Sequence, residues 1–148
     1  MPKALHPVAG AVALATILTF WIATVVSEAF GPVSAIIAVK TWIPWGFIVL
    51  IPALMAAGGS GFRLSKGQRG GLVDPKRKRM PFIAANGLLV LIPAALFLAA
   101  KAHAGELDAA FYAVQVVELV AGAVNITLLG LNMRDGLRMT GRLPQGAA

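Results

Sequence analysis

Cysteine is absent, and only six acidic residues, two histidines and one tyrosine occur among 148 residues. Without thiols there are no disulfides, no thiolate nucleophile, no Cys-ligated zinc and no iron–sulfur cluster. The six acids are scattered so that no two are expected to share one helix face, and no Ser/His/Asp set is convincing. Hydrolase and zinc-enzyme readings therefore find little support. Charge of either sign is scarce: 13% of residues are charged, against about 25% in soluble domains.

Long apolar runs take the place of charge. Four of them follow one another, at about 7–27, 33–60, 80–100 and 109–132. Each approaches or exceeds the ~20 residues that an α-helix needs to cross a bilayer core. The expected fold is an all-α, integral membrane four-helix bundle forming a single domain over 1–148. Its spans are placed at about 7–27, 33–57, 80–100 and 109–131, with a basic loop at 62–79.

The basic residues orient this bundle. Lys3, seven residues between Arg63 and Arg79, and Arg134, Arg138 and Arg142 make eleven on one side, against Lys40 and Lys101 on the other. Such a bias puts both termini and the central loop in the cytoplasm. A formal net charge of +7 invites a nucleic-acid reading, but these residues flank apolar spans, where they touch anionic headgroups. Membrane lipids, rather than nucleic acid, are the expected partners. The first run is read as a retained helix, because the 24 uncharged residues between Lys3 and Glu28 exceed the apolar region of a signal peptide.

Local signals divide the spans. Pro7 suits a helix start, and Gly31-Pro32 forms a link. Pro44 and Pro52 predict a kink in helix 2, which Gly58, Gly59 and Gly61 are expected to end. Asp74-Pro75 reads as a turn within the loop, and Pro93 lies inside helix 3. Beyond helix 4 the tail reads as an amphipathic end followed by disorder. Val49–Ala53 is echoed by Val90–Ala94, which reads either as a trace of an inverted repeat of the transporter kind or, by preference, as a chance match in a chain this rich in Ala, Leu, Val and Ile. Gly58-Gly59-Ser60-Gly61 with Arg63 and Lys66 has the composition of an anion nest, without the ending of a P-loop. Trp21, Trp42 and Trp45 read as interfacial anchors.

Ionisable residues inside a span are costly and ask for a reason. Lys40 lies about seven residues into helix 2 and Glu118 about nine into helix 4, counted from the outer side, so their depths differ by only a few ångströms at ~1.5 Å per residue. An ion pair would neutralise both, with Gln115 a turn from Glu118. The functional version is a proton relay, quinone site or polar pocket. The structural version has Lys40 snorkelling and Glu118 protonated. Asn86, Asn125 and Asn132 read as interhelical packing residues.

His6 and His103 are expected at opposite membrane faces, which removes a bis-histidine haem within one chain. His6 shares its level with Met80 and Met133, and a His/Met pair is a known haem ligation. Arg79, Arg134 and Arg138 would hold propionates there. A haem b with His6 as metal ligand is the cofactor such a site would take; alternatively, two His6 meet across a dimer. The structural reading leaves His6 at headgroup level and His103 as a solvated loop residue.

The segments Leu5–Gly10, Thr19–Trp21, Gly58–Phe62, Arg79–Gly87 and Gly130–Leu137 resemble a group of uncharacterised short four-helix bacterial inner-membrane proteins. The resemblance implies the bacterial inner membrane and the four-span fold, and brings no activity, cofactor or site. Three functions are thus expected: a small electron carrier using haem b or quinone, with its site at the cytoplasmic side; a non-enzymatic accessory or assembly subunit of a larger membrane complex; or a homo-oligomeric transporter using Lys40, Gln115 and Glu118.

Overall fold

The computed structural model describes residues 4–67 and 70–144. Lys3, Arg69 and the last four residues of the tail lie outside the described residues. The chain is all-α, with four helices long and apolar enough to cross a membrane: Leu5–Phe30, Val33–Ser65, Val73–His103 and Ala109–Met139. They are called helices 1 to 4 below. Successive helices are joined by short links, so the chain runs up and down. The start of helix 1, the end of helix 4 and the turn between helices 2 and 3 gather at one end of the bundle, the basic end. The links at 31–32 and 104–108 lie at the other, the far end.

Burial differs from that of a soluble bundle, with polar side chains buried beside Phe111 and Leu98 and large apolar ones exposed. Lys40, Thr24, Asn125 and Asp135 are among the most buried side chains, while Trp42, Leu89, Phe82 and Ile48 are well exposed. Small residues such as Ala13, Ala53, Ala57 and Ala95 fill much of the interior. Helices whose solvent is hydrocarbon gain little by hiding apolar groups, and instead bury small and polar ones where they can pack closely or pair.

Helices 1 and 2 make the most extensive contact in the bundle. A glycine permits it: a Cβ on Gly46 would lie 2.1 Å from Cζ of Phe20. The Phe20 ring sits there edge-on to Phe47.

Helix 2 does not stop at its glycines. It runs on to Ser65 with Gly58, Gly59 and Gly61 in helical conformation, so the expected ending and the anion nest are both corrected. Mid-helix glycine costs ~1 kcal/mol relative to alanine. Close packing offsets that cost, since a Cβ on Gly61 would meet the His6 ring at 2.9 Å. The turn instead uses Gly67, Gly70 and Gly71, all at positive φ. Helix 3 starts at Val73, so Lys76–Arg79 lie on its first turns rather than in a loop. Pro75 fits within a first turn, where N–H groups have no helical partner, and the Asp74 carboxylate accepts from Gly70 N–H at 3.1 Å.

Helix 3 widens into a π turn at Gly87–Leu91, with Ile92 N–H bonding back to Gly87 O. Pro93 accounts for it: its ring crowds the carbonyl four residues earlier, and it has no N–H to give. The equivalent residues around Val49–Ala53 remain α-helical, so the sequence echo has no structural counterpart.

Candidate functional site

Helix 4 carries four of the eight buried polar side chains among the described residues, Gln115, Asn125, Asn132 and Asp135. Gln115, Gly122, Asn125, Leu129 and Asn132 are all buried. Glu118, Asn125 and Asn132 follow at intervals of seven, which keeps them on one inward stripe. Three groups of polar contacts form along this stripe.

At the far end, the Lys40 ammonium donates to the Glu118 carboxylate and, at 3.2 Å, to Thr24 Oγ1. Gln115 Nε2 donates to the same Glu118 oxygen at 3.1 Å. Lys40 is 1% exposed and Glu118 13%, so Lys40 does not snorkel. Glu28, at the end of helix 1, faces the charges of both Lys40 and Glu118. Two carboxylates thus lie within electrostatic reach of one ammonium, Glu118 in direct contact with it and Glu28 further off. Two side-chain oxygens here, Glu28 Oε1 and Gln115 Oε1, are buried without a protein hydrogen-bond partner.

The middle of the bundle is closed by Trp21 and a pair of asparagines. Trp21 Nε1 donates to Leu119 O at 2.9 Å, and its ring lies against Gly122, where a Cβ would come within 3.0 Å. Trp21 is thus a half-buried residue packed between helices 1 and 4 rather than an anchor, while Trp42 and Trp45 are exposed. Asn86 donates to Asn125 Oδ1 and Ala121 O, both at 2.9 Å. Asn125 donates to Ile83 O.

At the basic end, His6 Nδ1 lies 3.0 Å from Ala57 O and 3.1 Å from Ser60 Oγ. A carbonyl only accepts, so Nδ1 carries the hydrogen and Nε2 is left with its lone pair. That lone pair accepts from Lys76 Nζ at 3.1 Å. Arg79 donates to Asp135 at 2.7 Å and to Asn132 at 3.4 Å, and Arg134 reaches the same carboxylate. Asn132 Nδ2 donates to Met80 Sδ at 3.3 Å. Met133, next in sequence, is exposed, and Arg138 lies a turn further on. The histidine, Met80 and the arginines are gathered at one end. As arranged, however, they offer a haem iron neither a free histidine nitrogen nor an unoccupied Met80 sulfur. Met133 is on the exposed face, away from the buried cluster.

His103 is exposed at the far end. It borders an apolar groove of about 630 Å³ with Thr41, Pro44, Trp45 and Leu96. Nearby, Lys101 bonds Glu106 and Asp108 at 2.8 and 2.7 Å. No group of three or more metal-ligating side chains occurs among the described residues.

Sequence reasoning passed over Glu28, Thr24, Lys76 and Asp135. A seven-residue count from Glu118 would have found the stripe through Asn125 and Asn132. Glu28 carried no such signal, because it reads as the charged end of a span. Comparison with family models, with curated proteins and with solved structures gives no match for this chain.

Proposed function

We propose that this chain is a multi-pass membrane protein that moves a small ion or polar solute. The working site is the Lys40–Glu118–Gln115 cluster in the outer half of the bundle. The observation that carries this reading is the Lys40–Glu118 pair itself, held inside an apolar bundle. An ion pair of this kind is costly to bury and contributes little net stability, so its retention points to use rather than support. The polar stripe of helix 4 continues from it through Asn125 to Asn132 and supplies groups along the remaining depth. Trp21, between the first two, is the natural closure. The basic end faces the cytoplasm of a bacterial inner membrane, by the excess of lysine and arginine there. The exposed apolar girdle serves lipid contact and assembly, as a homo-oligomer or within a larger membrane complex. In proteoliposomes, ion or solute flux above that of empty vesicles should fall on Glu118→Gln. Unchanged flux in that variant removes the proposal.

The second reading is electron transfer through haem b at the cytoplasmic side. Its support is the gathering of His6, Met80, Arg79, Arg134 and Arg138 at one end. It requires Lys76 to release His6 Nε2 before any iron is bound. An absorption spectrum after haem-replete expression tests it: a Soret band supports electron transfer, and its absence removes the haem reading.

A further inference from the structure

The far-end cluster is incomplete in one chemical sense. Glu28 and Glu118 bring two negative charges and Lys40 one positive, so a single negative charge is left over. The two oxygens without partners, Glu28 Oε1 and Gln115 Oε1, are both acceptors. Gln115 is only 3% exposed, and its amide orientation is set by the bond from Nε2 to Glu118. A buried polar atom left without a partner carries a desolvation cost of a few kcal/mol, so both oxygens call for a donor or a cation.

We infer that this cluster binds one monovalent cation, taken up by Glu28 and Gln115 next to the Lys40–Glu118 pair. The inference rests on the reading of this cluster as the working site and names what it takes. A monovalent ion brings the cluster to neutrality, whereas a divalent ion would leave a buried positive charge. A proton on Glu28 and a sodium ion bound by the cluster meet the same charge requirement. Thr24 Oγ1, which accepts from Lys40, supplies a further oxygen. Glu28 lies about two residues from the end of helix 1, or ~3 Å by the helical rise, and Lys40 and Glu118 lie deeper. Glu28 is therefore the entry group from the far side. The other charged groups at that end are occupied: Lys101 is held by Glu106 and Asp108.

The test is thermal unfolding of the purified full chain in detergent. Sodium chloride is titrated against choline chloride at pH 8, and pH is varied separately in choline alone. The sodium form predicts a melting temperature that rises with sodium by several degrees. The proton form predicts no sodium response and a rise as pH falls. In either case Glu28→Gln, which is neutral and nearly isosteric, should fold without the cation and lose that response. Gln115→Met should weaken it at least tenfold in midpoint. A wild type insensitive to both sodium and pH overturns the inference, as does an undiminished response in Glu28→Gln. Should neither variant fold, equilibrium dialysis of wild type against radioactive sodium, with proton uptake followed by a dye, decides. One saturable equivalent per chain supports the site, and none sinks it. Cation binding without flux would keep this site and remove the transport function. Flux lost in Glu118→Gln with no cation response would do the reverse.

Discussion

The Lys40 ammonium and the Glu118 carboxylate, 78 residues apart in the chain, meet inside the bundle and share their contact with Gln115. Neither helix could hold its charge alone in an apolar medium. Their pairing couples helices 2 and 4.

Removing one partner should cost far more than removing both. Glu118→Ala leaves Lys40 buried and uncompensated, with an expected loss of about 3–5 kcal/mol. The double variant Lys40→Met with Glu118→Met should recover most of that stability while remaining inactive. Denaturant unfolding in detergent micelles gives both numbers. A double variant no more stable than Glu118→Ala would contradict the pairing.

Gly46→Ala should force helices 1 and 2 apart, because its new methyl would sit 2.1 Å from Phe20 Cζ. Overpacking of this kind costs about 1–3 kcal/mol. Adding Phe20→Leu should restore much of the loss by clearing the space, as read from melting temperatures of the two variants.

His6 should be found by nitrogen NMR as the Nδ1–H tautomer, with Nε2 bare and accepting from Lys76. Gly61→Ala, whose Cβ would lie 2.9 Å from His6 Cε1, should displace the ring and change that signature. An Nε2–H signal in the wild type would contradict the assignment.

Asp108 caps helix 4 by accepting from Phe111 N–H at 2.9 Å. The hydrogen bond from Lys101 is the main influence that holds its carboxyl below the ordinary value of 3.8, with Phe111 N–H adding to it. A carboxyl depressed in the folded state stabilises the cap at any pH above that ordinary value, and the effect fades as pH falls through the lower folded value. The protection factor of the Phe111 amide, its exchange rate relative to an unstructured peptide at the same pH, should therefore be high at neutral pH and fall in strong acid, and Asp108→Ala should abolish the protection at neutral pH.

The sequence made part of this architecture legible and hid the rest for physical reasons. Four apolar runs announce four helices because the bilayer length fixes their size. Lys40 and Glu118 stand out as charges within such runs, and residue counting from the helix ends puts them at nearly one depth. The long helix 2 was hidden, because Gly58, Gly59 and Gly61 look like a stop until His6 is seen packed against Gly61. The π turn depends on how Pro93 is accommodated rather than on its presence. Glu28 looks like the boundary of a span, and its closeness to Lys40 follows only from how helices 1 and 2 cross.

Membrane orientation can be read cleanly, since the chain has no cysteine of its own. Ser65→Cys should react with an impermeant thiol reagent only after the inner face of the membrane is opened. Ala104→Cys should react in intact cells with the outer barrier permeabilised. The opposite pattern would reverse the bundle.

The most direct measurement is potential-driven ion uptake into proteoliposomes, comparing wild type with the folded Lys40→Met, Glu118→Met double variant at equal protein density. Wild-type vesicles should take up sodium or protons well above the empty-vesicle background, and the double variant should not. Equal uptake by the two would show that the buried pair plays no part in transport.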